Sequence, residues 1–470
     1  MPINNFLLPG AKVTTAYKVA NSCRFNDGDS ACMHKTPSSS GNRRTFTFAT
    51  WIKKTNTLSS NVYNDLYSAY VDGNNISRIL FWDDNGITLS NKVSGSFPTF
   101  IRTNRLMRDP TSWFHLVIAV DTTDATEANR VKIYVNGTQE TSLDSSTYPS
   151  QNEDFFFNHT NEHNIGQQGD DDSALYFDGY LSETIMIDGQ QLTPSSFGEF
   201  DEDSPTIFKP IDVSGLTFGT NGFYLDYEDS SNLGNDKNGG TDFTEVNLAA
   251  TDQSTDTPTL NYSTFNPLDN TYGQGTFSEG NLKIVTSSSL YCTNTSTFNL
   301  TKGKWHFEVR VGDSNQKNCI GISGNSGTFS GDSTLAFGDS ANEYSYTATG
   351  ELRHSGSSTG SWGSSFTNGD IIGCAFDLDN NEIFFYKNGT IQNSGSAFSI
   401  TDPTSTSSGG YFVGAGDFAS DNTSTMEYNF GSPSYSISSG NTDANGYGNF
   451  EYAVKSGHYA INSANLAEFG

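Results

Sequence analysis

Apolar and polar side chains alternate with a period of two along much of the chain, the pattern of strands with one buried face. TFTFATWIKK (45–54) sets Phe46, Phe48, Thr50 and Ile52 on one side. SRILFWDDNGITLS (77–90) reads as two strands around Asp84-Asn85-Gly86, a hairpin turn that Asn and Gly suit because they tolerate positive φ. WFHLVIAVD (113–121) reads as a core strand, and VKIYVNGTQE (131–140) alternates Val131, Ile133 and Val135 before turning at Asn136-Gly137. YFDGYLSETIMIDGQQL (176–192) adds a strand and an Asp188-Gly189 turn. Strands at this cadence, joined by short turns, predict an antiparallel sandwich over 41–192.

After Leu192 the pattern fades. Pro194, Pro205 and Pro210 punctuate a polar, acidic stretch, and 221–270 is rich in Asn, Asp, Thr and Gly. The expectation is an irregular connector over 193–270 that wraps onto the first sandwich, with a disordered linker as the alternative. Strand patterning returns with NLKIVT, KGKWHFEVRV (302–311), NCIGIS (318–323), DIIGCAFDLDNNEIFFYKNGT (370–390) and GYFVGAGDF (410–418), which predicts a second sandwich over 271–431. Residues 1–40 show little such patterning and read as an N-terminal arm or anchor; 432–470 read as an extended tail. VKIYVNGT (131–138) and IFFYKNGT (383–390) echo each other as strand plus Asn-Gly turn. The predicted class is all-β: two antiparallel β-sandwiches (jelly rolls) joined by an irregular connector.

Composition agrees. Of 470 residues, 34 are Phe and 22 Tyr against 5 Met, and 46 are Gly; aromatic residues suit half-buried strands, and Gly suits turns. The formal charge of −28, from 53 acidic and 25 basic residues, repels phosphate and argues against nucleic acid as a partner. Cys23, Cys32, Cys292, Cys319 and Cys374 are odd in number and contain no C-x-x-C pair, so buried free thiols are expected; a Cys23–Cys32 bridge stays open. MPINNFLLPG has no basic start and no long apolar run, so no export signal is expected. The best apolar run, FHLVIAV (114–120), is far below the ~20 residues of a membrane span. A protein made in a cytoplasm and not inserted in a membrane is the expectation.

KGKWHFEVRV, CIGIS, NGDIIGCAFDLDNNEIFFYKNGT and YFVGAGDF together resemble a SPRY domain. Gly303, Lys304, Trp305, Phe307 and Glu308 match its opening strand. Asp370, Ile372 and Gly373, then Asp377, Asp379, Phe385, Lys387, Asn388 and Gly389, match its later strand and hairpin. The first half is similar to the LamG/pentraxin-like branch of concanavalin A-like domains, through TFTFATWIKK, WFHLVIAVD, VKIYVNGT and YFDGYLSETIMIDGQQLT taken in order. FYLDYEDSSNLGNDKNGGTDFTEVNL and DTPTLNYSTFNPLD resemble the bridge between such modules in marine tailed-phage proteins. That resemblance implies a virion protein: a tail fibre or tail-tip subunit that binds host-surface glycan or protein, or else a head-fibre or capsid decoration protein. It implies other virion subunits as partners and, by analogy with phage fibres, a homotrimer, although no heptads support a coiled coil.

Reactive centres are harder to find. No G-x-S-x-G elbow, P-loop or G-x-G-x-x-G before a helix occurs. His159 and His163 in HTNEH read as a surface loop rather than a metal pair. Asp170, Asp171 and Asp172, with Asp178, read first as a solvated acidic loop and second as oxygen ligands for calcium, which LamG-like domains often hold at a loop edge. Asp377–Glu382 resembles a calcium loop but has no Gly sixth or Glu twelfth, and reads as a hairpin start. Trp113 and Trp305 read as core, while Trp362 in SGSSTGSWGSSF is either a ligand contact or a plug on the sandwich edge. SPRY modules bind protein partners through loops, which makes 340–365, with Tyr344, Tyr346 and Trp362, the candidate binding surface. No enzyme is expected. A polysaccharide-degrading activity is the minor alternative, since sandwiches of this kind also host glycosidases.

Overall fold

The computed structural model describes residues 17–58, 61–169, 175–272, 275–287, 291–313, 317–325, 336–418 and 423–470. They divide between Thr259 and Leu260 into two compact units. Both are antiparallel β-sandwiches, and the only α-helix among the described residues is Ser463–Phe469.

The N-terminal unit begins with β1 (Ser22–Phe25), β2 (Cys32–Lys35), β3 (Thr45–Lys54), β4 (Asn64–Asp72), β5 (Asn75–Phe81) and β6 (Gly86–Val93). It continues with β7 (Ser96–Leu106), β8 (Phe114–Asp121), β9 (Val131–Val135), β10 (Thr138–Gln139), β11 (Leu143–Thr147), β12 (Glu162–Ile165) and β13 (Gly179–Asp188). The short strands β14 (Gly198–Phe200), β15 (Phe208–Pro210), β16 (Phe223–Leu225), β17 (Thr244–Val246) and β18 (Gln253–Ser254) follow. A back sheet runs β10-β9-β8-β3-β13-β1-β18, with β16 also on β13; a front sheet runs β11-β7-β6-β5-β4-β12-β2-β17. Alternation delivers Phe46, Phe48 and Ile52 of β3, Ile79 and Phe81 of β5 and Leu116 and Ile118 of β8 to one core between the sheets.

The expected arm over 1–40 is not an arm from residue 17 onward. SCRF and CMHK are too short to show a period, yet β1 pairs with β13 and β2 with β12, and Cys23, Phe25 and Met33 enter the core. Residues 193–259 bury Phe223, Leu225, Tyr227, Leu233 and Phe243 in that core. They also roof the back sheet. Ala49, Val117, Ala119, Ile185 and Ile187 lie under Phe197, Val213 and Phe218, and Trp51, Trp113 and Tyr180 lie under Phe208. Lys53 reaches Asp256 of this covering chain at 2.7 Å with both side chains buried, and Trp113 Nε1 donates to the same carboxylate at 2.8 Å.

In the C-terminal unit a seven-stranded sheet faces a nine-stranded one. Trp305, Phe307, Val309 and Val311 of Lys304–Asp313 face the core, while His306, Glu308 and Arg310 face away. The stretch expected as an extended tail covers that outer face, because its polar side chains find partners there. Glu308 accepts the N–H groups of Glu451 and Tyr452 at 2.8 Å each, Phe450 packs edge-on against His306, and Tyr459–Ala460 adds a short parallel strand. All five cysteines are buried and free, so Cys23 and Cys32 are not bridged.

Candidate functional site: the open face of the front sheet

The outer side of the N-terminal unit's front sheet carries no apolar cluster among the described residues, whereas the back sheet lies under Phe197, Val213, Phe218 and Phe208. Met33, Tyr67, Ile79, Leu89, Ile101 and Ile165 point to the core, so the residues between them point outward. The strand register aligns one outward row as Phe100, Ser90, Arg78, Ser68, Asn164, His34 and Thr244. At ~4.8 Å between strands, this row crosses about 30 Å of the sheet; Ser90, Ser68 and Asn164 in it are buried, Phe100, Arg78 and His34 are partly exposed, and Thr244 is exposed.

One end of the row opens into a cavity of about 320 Å³ lined by Cys32, His34, Glu162, Asn164, Gln167, Gly169, Tyr176 and Val246. His34 Nδ1 lies 3.3 Å from Glu162 Oε2, with both side chains over one-third exposed. The wall is tied together by hydrogen bonds. Cys32 Sγ donates to Gln167 Oε1 at 3.3 Å, Gln167 Nε2 to Tyr176 Oη at 2.9 Å, and Ser68 Oγ to the carbonyls of Gln167 and Gln168 at 2.9 and 2.7 Å. Gly169 has φ +110, and a Cβ there would sit 2.6 Å from Asn164 Nδ2 and 2.8 Å from Tyr70 Cβ, so only glycine lets the chain pass this close. Asn164 is 1% exposed, and its Nδ2 has no hydrogen-bond partner. An unsatisfied buried amide costs about 1–3 kcal/mol, and an acceptor on a ligand would relieve that cost.

The other end carries partly exposed aromatic rings. Trp82 meets Tyr63 at 4.7 Å and Phe100 at 5.1 Å, both edge-on, and the Arg102 guanidinium lies 5.7 Å from the Trp82 ring. Between the two ends, Arg78 grips the buried Asp65 carboxylate through Nε at 2.7 Å and Nη2 at 2.6 Å. The face thus offers hydrogen-bonding groups at one end and ring surfaces at the other.

The residues singled out from the sequence fall elsewhere. Asp170, Asp171 and Asp172 lie outside the described residues. Asp178 is half-buried and is the acidic group that bears on Lys54. No group of three His, Cys, Asp or Glu among the described residues is arranged to hold a metal. Tyr344 and Tyr346 are not on a binding rim. EYSYT is a strand whose two tyrosines face the core at 1% and 0% exposure, with Tyr344 stacked 4.2 Å from His354. Trp362 is half-buried and packs edge-on against Tyr346 and Phe385. His163 is buried on β12, accepts the Asn158 N–H at 3.0 Å, and is pushed down to about 3 by burial. Asp377 accepts the N–H groups of Asp379 and Asn380 and starts a hairpin. His34, Glu162, Asn164 and Gln167 went unnoticed in the sequence. The available signal was the outward polar alternation of CMHK and EHNI, in strands too short to stand out.

A family model of the Concanavalin A-like lectin/glucanases superfamily matches residues 26–195, and the SPRY domain model matches residues 304–408. The chain therefore carries an N-terminal concanavalin A-like domain and a C-terminal SPRY domain. No curated protein matches it. Among solved structures it is similar to the SPRY domain of human HERC1, at 17% identity over 35% of this chain and 96% of that one, with a TM-score of 0.28. It is similar to a heptameric SAP-like pentraxin from Limulus polyphemus, at 16% identity over 38% and 80%, TM-score 0.26. It is also similar to domain 4 of AbnA, a GH43 extracellular arabinanase from Geobacillus stearothermophilus solved with arabinotriose, at 19% identity over 40% and 79%, TM-score 0.28. No helix among the described residues is long and apolar enough to cross a membrane.

Proposed function

We propose that the chain is a non-enzymatic binding protein whose N-terminal unit holds glycan on the open face of its front sheet. The observation that carries this reading is the single register row that joins a polar cavity with an unsatisfied buried amide to a Trp82–Tyr63–Phe100 platform. Sugar hydroxyls pair with amide and carboxylate groups, and sugar faces pack on rings. The lectin/glucanase family description of residues 26–195 supports carbohydrate as the ligand class.

The biological setting we propose is a phage virion, with the protein acting in tail-fibre or tail-tip attachment to host-surface glycan. The support is the order of the two modules and the bridge sequence between them. A glycan array with the full chain tests the binding. Trp82→Ala and His34→Ala should each weaken capture at least tenfold while the melting temperature holds. Capture unchanged in both variants, or release of shortened glycan, would count against the reading. Labelling the protein on intact particles by electron microscopy separates a tail position from capsid decoration.

A further inference from the structure

Two neighbouring lysines of β3 are buried, and they solve the same problem differently. Lys53 points away from the core and meets the Asp256 carboxylate at 2.7 Å, the ordinary way to keep a buried ammonium. Lys54 points into the core, is 1% exposed, and its Nζ sits 4.5 Å from the Phe81 ring centroid. Its hydrogen-bond partner is a neutral amide: Nζ donates to Asn85 Oδ1 at 2.7 Å. We propose that Lys54 and Asn85 react with each other to form a side-chain amide bond, a covalent tie between the two sheets of the N-terminal unit.

The surroundings fit the chemistry. Only the neutral amine is a nucleophile, and burial brings Lys54 down to about 7, so much of it is neutral in ordinary buffer. Asn85 is 2% exposed and held at φ +74 in the β5–β6 turn. Its Oδ1 also accepts the Leu58 N–H at 3.0 Å, a donor placed to stabilise the oxyanion of a tetrahedral intermediate. Asp178 is the acidic group acting on Lys54, and it directly precedes Gly179, the strand partner of Lys54.

The step balances without an oxidant or co-reactant. The Nζ lone pair attacks Asn85 Cγ, the Nζ–Cγ bond forms and the Cγ–Nδ2 bond breaks. Asp178 takes the proton given up by Nζ and passes it to Nδ2, which leaves as ammonia. Fixed proximity supplies most of the rate. The product joins the end of β3 in the back sheet to the β5–β6 turn of the front sheet.

Peptide mapping of the full-length wild-type chain by mass spectrometry tests this. The expected result is a branched peptide joining the Lys54 and Asn85 segments, lighter than their sum by one ammonia. Intact mass alone does not suffice, because Asn85-Gly86 could lose the same mass by closing a succinimide, which links no second peptide. Linear peptides carrying Lys54 and Asn85 separately in full yield, with or without a succinimide, would overturn the proposal. Lys54→Arg should abolish the branched species. Asp178→Asn should leave the peptides linear in a protein that still melts cooperatively; full cross-linking in that variant would overturn the relay assigned to Asp178.

Discussion

Each of the two sandwiches has one sheet roofed in the same way, and their other sheets differ. In each, chain that follows the sandwich strands folds back and roofs one sheet: residues 193–224 over Ala49, Val117 and Ile185 in one unit, residues 432–460 over His306 and Glu308 in the other. The opposite sheets, the front sheet of the N-terminal unit and the seven-stranded sheet of the C-terminal one, diverge. In the C-terminal unit, Phe337 lies fully buried on Gly414 and Gly416, where an added Cβ would come within 2.3 and 2.7 Å of it. In the N-terminal unit the equivalent side is polar, partly exposed and notched by a cavity. A shared architecture therefore says little about which module binds a ligand. The occupant of each outer face decides it.

Removing a lock from one roof should separate the units most sharply. Asp256→Ala would leave Lys53 charged and buried without its carboxylate, at a cost of about 3–5 kcal/mol. Calorimetry should show the N-terminal unit's transition falling while the C-terminal one holds; a shift of both together would break the comparison. Crowding the closed face comes next. Gly414→Val pushes on Phe337 and should cost the C-terminal unit about 1–3 kcal/mol, with glycan capture unchanged.

The second roof should respond to pH. Burial raises Glu308 from 4.5 to about 7. Between those values the unfolded chain has released this proton while the folded unit still holds it, so this group's contribution to stability falls as pH rises from about 4.5 to 7 and is constant above. Melting of Glu308→Gln against pH should flatten the C-terminal unit's slope in that window, and an unchanged slope would remove Glu308 as its source. The smallest effect is expected at the open face. Glu162→Gln breaks a part-exposed pair with His34 and should change stability by less than about 0.5 kcal/mol, while glycan capture weakens severalfold.

How much of this the sequence disclosed follows from how side chains are distributed. The long strands were legible because one of their faces is polar or because they sit beside Asn-Gly turns, as with Val131–Val135 and Glu382–Lys387. The roofs were not. Trp51, Ile185 and Phe208 are buried by chain distant in sequence, and nothing local announces a second buried face. The site was hidden for a related reason: β2 and β12 are four residues each and become one polar surface only through pairing. Tyr344 and Tyr346 misled because aromatics beside a Gly/Ser-rich loop look like contacts, whereas their strand turns both inward.

The bond from Ser22 Oγ to the Asp256 carbonyl spans 234 residues, and β1 pairs with both β13 and β18. The first sandwich is thus buttoned by its last residues. On a ribosome it stays incomplete until Asp256 has emerged, and closure over so long a loop favours slow folding. A fragment trimmed at residue 195 would expose Trp51, Trp113 and Ile185 to water and invite aggregation. Anyone dissecting this protein should cut after Thr259, where the contacts themselves divide.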